Sequence, residues 1–182
     1  MRRSLSSPSP EEFRAGTSES WPAQQLAAFL AAVSAYPNPE LATRHAIERV
    51  AEALDAEVVA VVRRGCRTLA IGFPSGEVPE AELTQIAEQR ATQPTFAELP
   101  PLGRCAVARE PLDPERLEWL LVARRAGRLD GAERDLLRGM ARVLGLTREM
   151  QGRRRLLERV STIQRQLVHR GSPDEVLQAI IA

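Results

Sequence analysis

The sequence contains no lysine; all 25 of its Lys+Arg residues are arginine, a bias that a GC-rich genome produces. Schiff-base chemistry, P-loop phosphate binding and lysine general bases are thereby excluded. Cysteine is scarce too, with Cys66 and Cys105 far apart and no C-x-x-C pair. Two such thiols without a secretory leader fit a reducing cytoplasm, not a disulfide scaffold. Histidine occurs only at His45 and His169, each isolated from other ligand types, so no metal site is expected. The net charge is +1, which gives no general attraction to nucleic acid or to a membrane surface. The uncharged run from Ser20 to Pro39 carries glutamines, prolines, serines and an asparagine, too polar a set to span a bilayer. There is no H-E-x-x-H and no G-x-G-x-x-G. In Gly72-Phe73-Pro74-Ser75-Gly76 the serine falls one place late for a nucleophile elbow. No catalytic residue is nominated.

What is present suits one domain with extensions, since 182 residues can hold a proper core. The first eighteen residues, rich in Ser, Pro and Glu, read as a disordered leader. Trp21 to Ala35 carries Leu26, Phe29, Leu30 and Val33 on one stripe and predicts a helix. Asn38-Pro39 starts a second helix with Leu41, Ala42, Ala46, Ile47, Val50 and Leu54 inward. Glu57 to Val62 is apolar on both faces, a central strand, and Arg67 to Phe73 returns as its hairpin partner. A short helix is expected over Pro79 to Arg90, then strands at Thr95 to Leu99, Arg104 to Glu110 and Glu118 to Arg124. Short connections between neighbouring strands indicate an antiparallel sheet with helices on one face, an α+β fold.

From Asp130 to Arg170 there is no proline. Asp130 and Glu133 have capping-box spacing, and Gly171-Ser172-Pro173 makes a stop. Two heptad registers run through this stretch, Leu136, Val143, Met150, Leu157 and Gln164, and Gly139, Leu146, Arg153, Val160 and Leu167. Seven of the ten positions are apolar, which describes an imperfect coiled-coil seam. The expected dimer interface is Leu136, Val143, Leu146, Met150, Leu157, Val160 and Leu167, paired in parallel.

One pattern recurs near the end of the chain: Asn38-Pro39 matches Ser172-Pro173 at an offset of 134. At that offset Leu26 falls on Val160, Phe29 on Ile163, Val33 on Leu167 and Ile47 on Ile181. A second copy of the domain would then start near Leu156 and stop at Ala182, making the chain a fragment of a longer protein.

Several stretches resemble the GAF domain family: HAIERVAEALDAEVVAVVRRG, Gly72-Phe73-Pro74, LEWLLVARR, and the following GAERDLLRGMARVLGLTREM. The resemblance covers roughly Trp21 to Met150. It implies a twisted antiparallel sheet of five to six strands with helices on one face, followed by a long C-terminal linker helix. It also implies a cytoplasmic, non-enzymatic sensory or dimerising module of a bacterial signalling protein. Its output would be a downstream histidine kinase, diguanylate cyclase, phosphatase or DNA-binding domain of the same chain, with no direct contact to nucleic acid or membrane. The corresponding division is a leader at 1–18, a sensory domain at 19–150, a coiled-coil signalling helix at 151–170 and the start of a second domain at 171–182. A small molecule would sit between the sheet and Val78 to Leu102, against Ile71, Phe73, Phe96, Leu99, Cys105 and Val107; alternatively side chains fill that space. No cofactor is specified. The lysine-containing cyclic-nucleotide motif of the family is missing, as are a pocket histidine for haem and a Cys-His pair for bilin. The alternative is a cysteine-dependent redox enzyme or sensor, such as a free methionine sulfoxide reductase-like domain using Cys66 and Cys105. Cys66 lies between Arg64 and Arg67, which can lower a thiol pKa.

Overall fold

The computed structural model describes residues 10–73, 77–89, 95–113, 115 and 117–170, and of 10–20, 95 and 166–170 the backbone alone. Its elements are α1 (Pro10–Ser34), α2 (Pro39–Leu54), β1 (Val58–Arg63), β2 (Leu69–Ile71), α3 (Glu80–Glu88), β3 (Thr95–Leu99), β4 (Gly103–Asp113), β5 (Glu118–Arg124) and α4 (Gly131–Arg170). The chain divides into two units, Met1–Gly145 and Leu146–Ala182. The order of elements is the one the sequence predicts. Helix α1 starts at Pro10, well before Trp21, so the expected leader at 1–18 overlaps it, while residues 1–9 lie outside the described residues. Pro22 inside the helix removes one backbone donor.

Helix α2 begins where the Asn38 side chain accepts the Glu40 N–H at 2.9 Å, with Pro39 supplying the φ that a first turn needs. It ends at Asp55, left-handed at φ +47°, whose N–H returns to the Ala51 carbonyl. Ala42, Ala46, Ile47, Val50 and Leu54 form its buried face, while Leu41, expected inward, is exposed in the first turn.

The five strands form one antiparallel sheet in the order β2-β1-β5-β4-β3. Strand β1 is central and buried on both faces, as its unbroken Val/Ala run requires. Val59 and Val61 of β1 and Leu120 and Val122 of β5 face a core shared with α1, α2 and α4. Val58, Ala60, Val62, Leu121 and Ala123 point the other way, into a second core that α3 closes with Leu83, Ile86 and Ala87. The helical layer therefore holds α1, α2 and the first part of α4, and α3 packs alone on the opposite face.

Within the first unit α4 lies close to its neighbours because two of its residues have no side chain. A Cβ at Gly145 would stand 2.6 Å from the Leu112 carbonyl oxygen, and one at Gly139 would stand 2.9 Å from Leu26 Cδ2. Leu112 is the extra residue where the β4–β5 register shifts between Pro111 and Asp113. Leu136, Leu137, Met140, Ala141 and Leu144 fill the core beneath.

Arg124, at the end of β5, holds this layer in place. Its guanidinium donates to both carboxylate oxygens of Glu133 at 2.8 and 2.9 Å, to the Leu54 carbonyl at 3.0 Å, to Arg128 O at 3.0 Å and to Gly127 O at 3.4 Å. One planar fork thus joins the C-terminus of α2, the β5–α4 turn and the first turn of α4. Glu133 also accepts the Asp130 N–H at 2.8 Å while Asp130 accepts the Glu133 N–H at 2.8 Å, completing the expected capping box. The hydrogen bond from Arg124 is the main reason the Glu133 carboxyl titrates below its ordinary range. The stability this adds is complete above the ordinary carboxylate range and is lost as pH falls through the lower folded value. Arg124→Leu should lower stability by about 3 kcal/mol at neutral pH. The gap between parent and variant, measured by denaturant titration, should shrink as pH falls through and below the ordinary carboxylate range.

Candidate functional site

The sheet face beneath α3 is where a ligand of this fold was expected. Leu99 and Cys105 are fully buried there, Val107 is nearly so, and Phe73 packs against them. Leu83, Ile86 and Ala87 of α3 occupy the middle of the face, so side chains fill it. Two expected lining residues are not on this face. Ile71 packs into the helical-layer core instead. The chain reverses at Gly72, whose φ is +94° and whose Cβ would stand 1.7 Å from the Glu57 carbonyl oxygen, and this sends Phe73 to the α3 side. Phe96 pairs with Ala106, while Ala97 pairs with Cys105, so strand alternation puts the Phe96 ring on the opposite face. That ring is 42% exposed and carries the guanidinium carbons of Arg104 and Arg128, each 4.8 Å from its centroid.

Arg109 was not anticipated. It follows Cys105 and Val107 in the alternation of β4 and pairs with Leu121, which places a half-buried cation at the far end of the α3 face. Burial lowers its pKa from the ordinary arginine value. The alternation alone could have identified it.

The two thiols do not form a reactive pair. Cys66 is exposed in the turn after β1, its N–H donating to Arg63 O at 3.1 Å. Cys105 is buried on β4 beside Val107, which shares Ala123 as a partner strand position with Val58. Cys66 and Cys105 therefore lie towards opposite ends of the sheet, separated along the strands by about 23 Å for about seven residues of rise. Burial, then the nearby Glu57 charge, raises the Cys105 pKa. His45 stacks on Tyr36 with ring centroids 4.2 Å apart, and its Nδ1 lies 3.1 Å from Glu48. Among the described residues no group of three or more His, Cys, Asp or Glu could hold a metal ion. No described helix is long and apolar enough to cross a membrane.

The expected dimer seam divides at Gly145. Leu136 is 1% exposed and belongs to the core of the first unit, where Val143 also packs, so Leu136 is not available to a second chain. In the second unit Leu146, Met150, Leu157 and Val160 are exposed, at 54%, 71%, 69% and 43%. The Leu167 side chain lies outside the described residues. Arg153 and Arg154 are neutralised along the helix by Glu149 at 2.7 Å and Glu158 at 3.0 Å. Leu156 and Ile163 are exposed as well. A hollow of about 520 Å³ lies along the same stretch, lined by Arg155, Glu158, Arg159, Thr162 and Ile163.

No family model matches the chain, and no curated protein matches it. Its structure is similar to a crystal structure of a GAF domain assigned to a sensor histidine kinase of Pseudomonas syringae pv. tomato, at 16% identity and a TM-score of 0.56. The match covers 83% of this chain and 98% of that one. The fold of this chain is therefore GAF-like: an α+β arrangement around a five-stranded antiparallel sheet, with a long C-terminal helix.

The thiol geometry has a direct readout. In the native chain a maleimide or disulfide reagent should modify Cys66 within minutes and leave Cys105 untouched until denaturant is added. Equal labelling of both in buffer would mean that α3 does not cover the sheet.

Proposed function

We propose that this chain is a non-enzymatic regulatory module of GAF-like fold that dimerises through the second part of α4 and relays a signal along that helix. The observation that carries this reading is the row of exposed apolar side chains at Leu146, Met150, Leu157 and Val160. A row of exposed apolar side chains on an otherwise charged helix marks an interface, and its heptad spacing fits a second α4 in parallel. Arg153 and Gln164 on the seam would weaken the coil and set its register.

A signal entering as a small molecule at the α3 face would have to displace Leu83, Ile86 and Ala87 from an apolar wall of Leu99, Cys105, Val107 and Phe73, with Arg109 at its polar end. Its output would be a further domain of the same polypeptide. The structural neighbour is assigned to a sensor histidine kinase, and a kinase is one such output; a diguanylate cyclase, phosphatase or DNA-binding domain is another. A cytoplasmic location fits the two unpaired thiols. Ligand binding would bias one of two arrangements of the paired helices, as coupling between sites requires.

Light scattering on the 182-residue chain should give a dimer mass at micromolar concentration. The double variant Met150→Asp/Leu157→Asp should give a monomer with an unchanged circular dichroism spectrum. A monomeric parent, or a double variant that dimerises equally well, would overturn the reading.

A further inference from the structure

On the sheet face away from α3, one cross-strand row runs from Phe96 on β3 through Ala106 on β4 to Arg124 on β5. Residues directly opposite each other on paired strands share a face, so these three side chains stand in line. Arg128, in the turn before α4, comes back to this row. Its carbonyl accepts from the Arg124 guanidinium at 3.0 Å, and its own guanidinium carbon lies 4.8 Å from the Phe96 centroid. Arg104, two residues before Ala106 and so on the same face of β4, lies over the same ring at the same distance. Two cations share one half-exposed aromatic ring.

Their charge is not balanced locally. Arg124, Arg125 and Arg138 each meet a carboxylate. Among the described residues Arg104 and Arg128 meet none within 4.0 Å, although Glu98 stands directly across from Arg104. Both guanidinium carbons are 4.8 Å from one point, so they are at most twice that distance apart, within about one Debye length (~10 Å at 0.1 M salt). Their repulsion is only partly screened. The ring attracts each of them through its quadrupole but carries no net charge, so two positive charges remain.

We infer that Arg104, Phe96 and Arg128 form a binding site for a phosphate monoester, a small dianion whose charge equals that of the pair. Two planar forks offer paired N–H donors to a tetrahedral oxyanion, the recognition that arginine suits best. Both arginines are exposed, and their long stems let the forks turn onto one anion while the strands stay in place. A single carboxylate would neutralise only one of the two charges. Glu98 across from Arg104 and Asp130 two residues after Arg128 confine the patch to a small ligand; a nucleic acid would need a longer run of cations. A bound phosphate joins β4 to the β5–α4 turn, where Arg124 holds the Arg128 carbonyl and grips Glu133. It thereby stiffens the start of α4 from the face that α3 does not cover. That consequence for signalling rests on α4 being the relay; the site itself does not.

Isothermal titration of the full chain with inorganic phosphate, against chloride at equal ionic strength, tests the site. One-site saturation with a dissociation constant on the order of 1 mM is expected. Arg104→Gln and Arg128→Gln should each weaken binding by about tenfold or more, and Phe96→Leu by less. Arg154→Gln, which removes an exposed arginine of α4, should change nothing. Phosphate should raise the thermal midpoint of the parent and leave that of the Arg104→Gln/Arg128→Gln double variant unmoved, which also shows that the variant folds. No saturation by about 50 mM phosphate would overturn the inference, as would equal affinity in parent and arginine variants. Tighter binding of succinate than of phosphate would overturn the ligand class. The dimer mass is read separately by light scattering, so failure of this site and failure of the seam are distinguishable.

Discussion

The Arg124–Glu133 pair decides where α4 lies. A guanidinium at the end of β5 meets both oxygens of one carboxylate in the first turn of α4 and the backbone carbonyls of Leu54, Gly127 and Arg128. Arg124 is 13% exposed and Glu133 22% exposed, so the pair is shielded enough for its hydrogen bonds to matter more than a surface ion pair would. The turn between β5 and α4, the end of α2 and the start of α4 are joined at one point. Everything α4 does afterwards depends on that starting direction.

From there α4 changes role along its length. Its first turns behave as a core helix, with Leu136, Leu137, Met140 and Leu144 buried, and Gly139 and Gly145 allow the close approach to Leu26 and to the Leu112 carbonyl. Past Gly145 the apolar residues are exposed and the arginines pair with glutamates along the same helix. The same helix thus buries its apolar side chains in the first unit and exposes them in the second.

Much of this was legible in the sequence. The order and type of every element follow from Val/Ala runs, cap residues and prolines. The capping box at Asp130 and Glu133 is a local pattern and appears as read. What depended on position in space was harder to read. Leu136 fits a heptad as well as it fits a core, and only the packing of α4 against the sheet separates the two. Ile71 and Phe73 have the spacing of one strand face, yet the positive φ at Gly72 places them on opposite sides. Phe96 shares its face of β3 with Glu98, and the register with β4 places that face away from Cys105 and α3. Arg109 was overlooked because a lone arginine in a strand carries no motif, although its parity with Val107 was available.

The central claim is that one helix is held in its own domain up to Gly145 and paired with a second copy beyond it. Amide hydrogen exchange along α4 at two protein concentrations, well below and well above the dimer dissociation constant, tests it residue by residue. Amides from Leu136 to Leu144 should be protected to the level of global unfolding at both concentrations. Those from Met150 to Ile163 should gain protection only at the higher one. Equal protection of the second stretch at both concentrations would contradict the account.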